Sequence, residues 1–244
     1  MSYGIRSMVG LAGGLLALVL LLPVNATAQS EFLSSSQGKF LEKNENGVGI
    51  GAGFGTGGDA TNYGGLLSYT HKGMLEVGAG LNRFEFDDGG AGLEMSSLQI
   101  SPFVNVHALK QSQQMPISLA FGGAYRSESY SSDAMDQTGL ELTSSGFVAG
   151  GMVYRSFQAS KTINIVPDAA VTYYSATLKM TDTNTQTESE TDADLTLFSL
   201  GASVAAPLSS GNTLNFRAGV DIPDEGDARF NASIGFLLPI NMSQ

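Results

Sequence analysis

The sequence predicts an all-β fold, a single antiparallel β-barrel of about ten strands that spans a membrane, with eight to twelve strands compatible. Three observations predict it. Apolar residues alternate with polar or small ones in runs that recur along the chain, the pattern of a strand with one greasy and one polar face. The runs reach the roughly 9–11 residues that a tilted strand needs to cross a bilayer. The connections between them alternate between tight and long, a sidedness that a soluble sandwich has no reason to keep.

The first residues are a targeting segment. Arg6 supplies a positive start, Leu11 to Leu22 is apolar, and Ala26-Thr27-Ala28 after Pro23 is a small-residue cleavage site, so residues 1–28 read as a secretory signal peptide. No other long apolar run follows, so membrane residence must be as strands. Residues 29–46 read as a polar N-terminal linker or partial plug, and 47–244 as the barrel. The 31 glycines and absence of Cys fit a strand-rich chain without disulfides. Arg6 leaves with the signal, so 11 basic residues face 23 acidic ones, which argues against nucleic acid as a partner.

The first strand is expected at Gly47 to Gly55, where Val48, Ile50, Ala52 and Phe54 alternate with glycines. The second covers Tyr63 to His71 and turns at Lys72-Gly73. The third, Met74 to Phe86, alternates cleanly until its phase slips near Arg83, suggesting a bulge or the membrane edge. The fourth, Ser96 to Leu109, sets Leu98, Ile100, Val104 and Val106 against Ser97, Gln99, Asn105 and His107. Pro116 to Tyr130 forms the fifth. The sixth, Ser144 to Ala159, has mixed phase; Val148, Met152 and Tyr154 are placed outward, which turns Arg155 inward. Thr162 to Met180 and Leu195 to Ala206 follow. The closing hairpin runs from Thr213 to Ile240 about the turn Pro223 to Asp227. Pro102 and Pro167 lie inside strands, and each demands a bulge or a local break because proline cannot donate to a ladder. Trp is absent, so Tyr and Phe alone must supply interfacial girdles.

Charge sorts with loop length. The longer connections (Thr56 to Asn62, Asp87 to Glu94, Ser131 to Thr143, Thr181 to Asp194) and the Asp224 to Asp227 turn hold many Asp and Glu and no Lys or Arg. Lys72, Lys110 and Lys161 sit at the tight turns. One end of the barrel is acidic and the other mildly basic.

With its signal peptide, strand repeat and terminal strand, the chain resembles the broad class of small Gram-negative outer-membrane β-barrel proteins. The resemblance implies location in the cell outer membrane, contact with its lipid and lipopolysaccharide, and insertion by the barrel-assembly machinery. It also implies an assembly signal in the last strand, whose spacing Ser233, Gly235, Leu238 and Ile240 match, with aliphatic residues where aromatics are usual.

No catalytic constellation, metal site or cofactor site is predicted, and the expected protein is not an enzyme. His71 and His107 both fall beside tight turns, away from the longer loops. Asp87-Asp88 has no His at its end, the Thr181 to Asp194 run lacks the glycine spacing of a calcium loop, and Gly47 to Gly58 lacks the Lys-Ser/Thr of a phosphate loop. The candidate site is the lumen. Glu76, Arg126, Arg155, Asp168, Arg217, Asp221 and Arg229 fall on the polar phase of their strands, and charges inside a membrane protein must be paired or wet. They form either a paired network that fills the interior or a charged constriction. One reading is a narrow diffusion channel for small ions or solutes, with the acidic rim concentrating small cations and with Gly49, Gly51, Gly53, Gly78, Gly80, Ser199, Gly201 and Ser203 leaving space inside. The alternative is a closed structural or adhesive barrel acting through acidic external loops.

Overall fold

A computed structural model describes residues 31–57, 60–86, 95–224 and 226–240. The expected signal peptide, the Asp87 to Glu94 connection and the trailing residues 241–244 lie outside the described residues. Eleven strands appear in order: β1 (Asn46–Gly57), β2 (Ala60–His71), β3 (Leu75–Phe86), β4 (Met95–Leu109), β5 (Ser118–Ser131), β6 (Leu140–Tyr154), β7 (Phe157–Ser160), β8 (Ile163–Asp182), β9 (Thr187–Pro207), β10 (Thr213–Pro223) and β11 (Arg229–Ile240). Each pairs antiparallel with its sequence neighbours, except that both β6 and the short β7 pair with β8. β1 pairs with β11, so the sheet closes as a ten-stranded barrel in which β7 continues the line of β6. Closure leaves no edge inside the bilayer, the condition for a sheet to span one.

The alternation read from the sequence becomes two surfaces. Ile50, Leu67, Leu81, Ile100, Phe121, Leu200 and Phe216 are exposed on the outside, while Ser68, Glu76, Asn105, Thr172, Ser203 and Asn215 are buried inside. Toward the end opposite the termini, exposed Phe54, Tyr63, Tyr125, Phe147, Tyr173, Phe198 and Phe230 make a girdle without Trp. Phe54 lies opposite Tyr63, and Tyr125 opposite Phe147 with ring centroids 5.3 Å apart.

One expectation is resolved and three are corrected. In β3 the change of apolar phase at Arg83 comes from the second of its two expected causes, the membrane's edge, and not from a bulge: its register with β2 and β4 is continuous. Phe84 and Phe86 turn inward while Arg83 and Glu85 face out, because above the girdle the outer surface is wet. Second, β6 has the opposite phase to the one assigned. Val148, Met152 and Tyr154 are buried inside, and Phe147, 70% exposed, and Val153 face out. Third, the Thr181 to Asp194 loop is mostly sheet, with only residues 183–186 turning between β8 and β9. Fourth, the Ser131 to Thr143 connection holds a helix, α2 (Asp133–Thr138). Its N-cap Ser132 accepts from the Met135 N–H, and Gly139 ends it in the left-handed conformation at φ 70.

The prolines produce breaks without bulges. Pro167 takes part in β8 opposite Arg155, whose N–H donates to the Pro167 carbonyl at 3.2 Å. The reciprocal bond cannot form because Pro167 has no N–H, and there β6 gives way to β7. Pairing of β4 with β5 likewise lapses between Ile100 and Phe103, at Pro102, and resumes in the same register.

Candidate functional site

The lumen is occupied by the chain's own N-terminal segment. A single helical turn, α1 (Glu31–Ser34), and a 3-10 turn over Gln37–Phe40 lie inside the barrel. Leu33, Ser34, Ser36, Gln37, Lys39 and Leu41 are at most 5% exposed. The inner wall explains the path. From β4 to β9 the wall carries an apolar patch, and Leu33 packs there with Phe103, Ala124, Val148, Tyr174, Leu195 and Leu197. A second apolar patch, Ala120, Met152, Tyr154, Val166 and Ala170, backs Phe40, and the Ser34 to Lys39 stretch meets the polar wall around Glu76 and Asp168.

Two carboxylates hold the segment. Glu76, fully buried, accepts from the Gln37 N–H at 3.0 Å, the Ser68 hydroxyl at 2.8 Å and the Asn105 amide at 3.3 Å, and also from the Ser36 hydroxyl. Asp168 accepts two bonds from the Arg217 guanidinium, at 2.8 and 3.3 Å, and one from the Lys39 ammonium at 3.3 Å. Lys39 also donates to the Ser34 carbonyl at 2.5 Å, which folds the segment on itself. A buried charge persists only when it is paired and its remaining bonding capacity is used. Asp168 is paired with both Lys39 and Arg217, and Glu76 has its bonding capacity used by four donors.

Backbone approach completes the fit. A Cβ at Gly49 would fall 2.5 Å from the Gln37 Cβ, and one at Gly235 2.6 Å from its Nε2. The Gln37 side chain, bonded to Asn215 at 2.8 Å, occupies the room those glycines leave. At the terminal rim Lys110 donates to the Gly38 and Leu41 carbonyls, at 2.5 and 2.9 Å. Burial pulls its ammonium down to about 8, against the opposing pull of the Glu76 and Glu45 carboxylates.

The other half of the lumen, toward the loops, holds the remaining charges. Arg126 bonds to Gln99, lies 3.8 Å from Glu128 and covers the Tyr174 ring at 5.4 Å. Asp221 stands opposite Arg229 in the ladder and accepts from Asn231 at 2.9 Å; Asn231 in turn accepts from Arg217 at 2.6 Å. Between this half and the segment lies a cavity of about 40 Å³, lined among others by Asn82, Gln99, Ser101, Arg126 and Tyr174, with room for a few waters.

Of the seven expected lumen charges, Glu76, Asp168 and Arg217 meet the inner segment or its network, and Arg126, Asp221 and Arg229 face the lumen nearer the loops. Arg155 does not face the lumen. It is exposed at the terminal end with its guanidinium 4.6 Å from the Phe157 ring centroid, because the phase of β6 is reversed from the one read. Of the glycines and serines taken as lumen space, Gly49 is filled by Gln37, Gly78 by Phe103 and Gly201 by Arg217, while Gly51, Gly53 and Gly80 line the cavity. In β11 Ser233 and Gly235 point inward, and Leu238 and Ile240 outward.

Sequence reasoning did not find Ser36, Lys39, Tyr154 and His107 as one cluster. His107 Nε2 lies 3.1 Å from the Ser36 hydroxyl and Nδ1 3.0 Å from the Tyr154 hydroxyl. The neutral tautomer with Nε2–H donating to Ser36 and Nδ1 accepting from Tyr154 satisfies both contacts. Activation of Ser36 would need the reverse, a free Nε2 lone pair and a carboxylate on Nδ1. Glu76 instead sits on the Nε2 side, 3.8 Å away, and both side chains are fully buried.

No protein-family model and no curated protein matches the chain. Among solved structures the barrel is similar to the translocator domain of the autotransporter NalP from Neisseria meningitidis. Identity is 12% and the TM-score 0.54, over 87% of this chain and 92% of that one. The β domain of the Bordetella autotransporter Brka gives 13% identity and a TM-score of 0.47, over 80% and 98%. The N-terminal barrel domain of Pseudomonas aeruginosa OprF gives 12% and 0.29, over 82% and 100%. At 12% identity the likeness to the NalP domain shows the fold alone, a closed antiparallel barrel.

Proposed function

We propose that the chain resides in the outer membrane as a barrel closed by its own N-terminal segment, and that it acts through the surface its loop end presents outside the cell. The observation that carries this reading is the segment itself, buried against two carboxylates with about 40 Å³ of cavity beside it. A diffusion channel needs continuous wet space, whereas buried ion pairs and a packed Leu33 favour a seal. β1 begins and β11 ends at the end of the barrel where β2 turns at Lys72, and on this reading that end is periplasmic. The acidic loop end then faces lipopolysaccharide and its counter-cations. An enzymatic role is not part of this reading, since the one Ser-His contact among the described residues is arranged against nucleophile activation.

The experiment is conductance of the refolded mature protein in planar bilayers, beside a variant lacking residues 29–41. Silence from the intact protein and discrete steps from the variant are expected. Steps from the intact protein, altered by neutralising Asp168 or Arg217, would replace the closed barrel with the narrow-channel reading. One observation favours that second reading: the hydroxyls of Thr172, Ser199 and Ser203 are buried in the wall without a protein partner among the described residues, as wet lumen surfaces are.

A further inference from the structure

Beyond the girdle, β9 outruns its neighbour. It pairs with β8 from Thr187 to Ala205 but with β10 only from Leu197 to Pro207. β10 ends at Pro223, and the last contact across this seam is the Asp224 N–H donating to the Thr196 carbonyl at 2.9 Å. From Thr187 to Leu195 the outer side of β9 therefore has no strand beside it among the described residues. β8 and β6 back the extension, with Leu140 opposite Asp182 and Thr143 opposite Lys179, so this is the margin of a three-stranded sheet rather than a loose loop.

The parity of the ladder says which groups the margin offers. Thr196 turns its carbonyl toward β10, so Glu188, Glu190, Asp192 and Asp194, an even number of residues away, turn their N–H and C=O groups to the open side. The same conclusion follows from the far side of the sheet, where Pro167 of β8 faces β6. All four side chains are exposed and share one face. Across that face Lys179 pairs with Glu188 at 2.8 Å and Thr177 donates to Asp192 at 2.7 Å. An added strand would place alternate residues directly opposite these four positions, in hydrogen-bonded pairs, with its side chains on the carboxylate face.

We infer that the open margin of β9 is a strand-addition site for an extended basic polypeptide segment carrying Lys or Arg at alternate positions. Unpaired backbone supplies the docking and the carboxylate row supplies the selectivity. A second copy of this chain is disfavoured as the occupant, because two such margins would set carboxylate against carboxylate. The inference rests on the surface-acting reading above; conductance tests that reading and peptide binding tests this one, so the two can fail separately.

The test uses the mature protein refolded in detergent micelles free of lipopolysaccharide. The probe is a fluorescein-labelled peptide that alternates Lys and Thr over about eight residues, the length of the margin. Saturable binding is expected. It should weaken at least about tenfold for a peptide of identical charge N-methylated at alternate residues, and likewise for the combined Glu188→Gln, Glu190→Gln, Asp192→Asn and Asp194→Asn variant. Asp192→Pro, which removes an N–H facing the open side and none facing β8, should bind more weakly than Asp192→Asn. Equal binding of the methylated peptide would overturn strand addition and leave only charge attraction. Absence of binding, or binding that appears only when lipopolysaccharide is added, would overturn the site.

Discussion

The two halves of the lumen are built from the same residue types on the same strand phase, yet they do different work. Toward the termini, Glu76, Asp168 and Arg217 are used by Ser36, Gln37 and Lys39 of a segment remote in sequence. Toward the loops, Arg126 meets Gln99, Glu128 and Tyr174, and Asp221 meets Asn231, all wall to wall. A carboxylate whose counter-charge comes from an inserted segment is a docking point. One whose partners are its strand neighbours holds register. The difference predicts that the terminal half is the more sensitive to substitution.

The sharpest break in that contrast is Asp168→Asn. It leaves Lys39 and Arg217 buried without their shared counter-charge and should cost about 3–5 kcal/mol in urea unfolding of the refolded barrel. A cost under about 1 kcal/mol would mean that the terminal half is as wet as the other. Leu33→Ala, a cavity in the apolar patch around Tyr174, should cost about 3 kcal/mol by the same assay, and should also raise the susceptibility of residues 31–41 to protease. Arg126→Met, in the loop half, should change the unfolding free energy by no more than about 1 kcal/mol, because the adjoining cavity admits water to the groups it leaves. Arg155→Ala, outside the lumen altogether, should stay within about 0.5 kcal/mol.

A separate effect is on pH. The Lys110 ammonium is pulled to about 8 by burial, so between that value and its ordinary 10.5 the unfolded chain binds more protons than the folded one, and stability rises with pH. Lys110→Met cannot show this rise. The stability of the natural protein relative to that variant should climb from pH 8 to 10.5 and stay level from pH 6 to 7. A difference that falls over the upper range would mean that the charged ammonium is favoured at the rim.

Legibility followed contrast. In β4 each inward Ser, Gln, Asn or His alternates with an outward apolar residue, and the phase was plain from the sequence. In β6 Val148, Met152 and Tyr154 face in while Phe147 and Val153 face out, so both phases are apolar and period two carries no sign. The inward face of β6 is greasy because Val148 backs Leu33, and Met152 and Tyr154 back Phe40, contacts that no local window contains. The β8 and β9 extension failed for the opposite reason: both of its faces are wet, and the Thr and Glu alternation of residues 187–191 resembles a loop. The helix α2 was missed although Ser132 before it and Gly139 after it are ordinary cap residues.

The sequence by itself determined the strand repeat and most of the lumen-facing set, because a strand in a bilayer must show one face to lipid and a period of two records that locally. Only the tertiary structure decided that the barrel closes at ten strands, that residues 33–41 fill its terminal half, and that β9 stands past its neighbour with an open margin. Those outcomes depend on register between strands and on charges paired across the lumen, such as Lys39 with Asp168. Such pairings are set by closure of the whole sheet rather than by any stretch of chain.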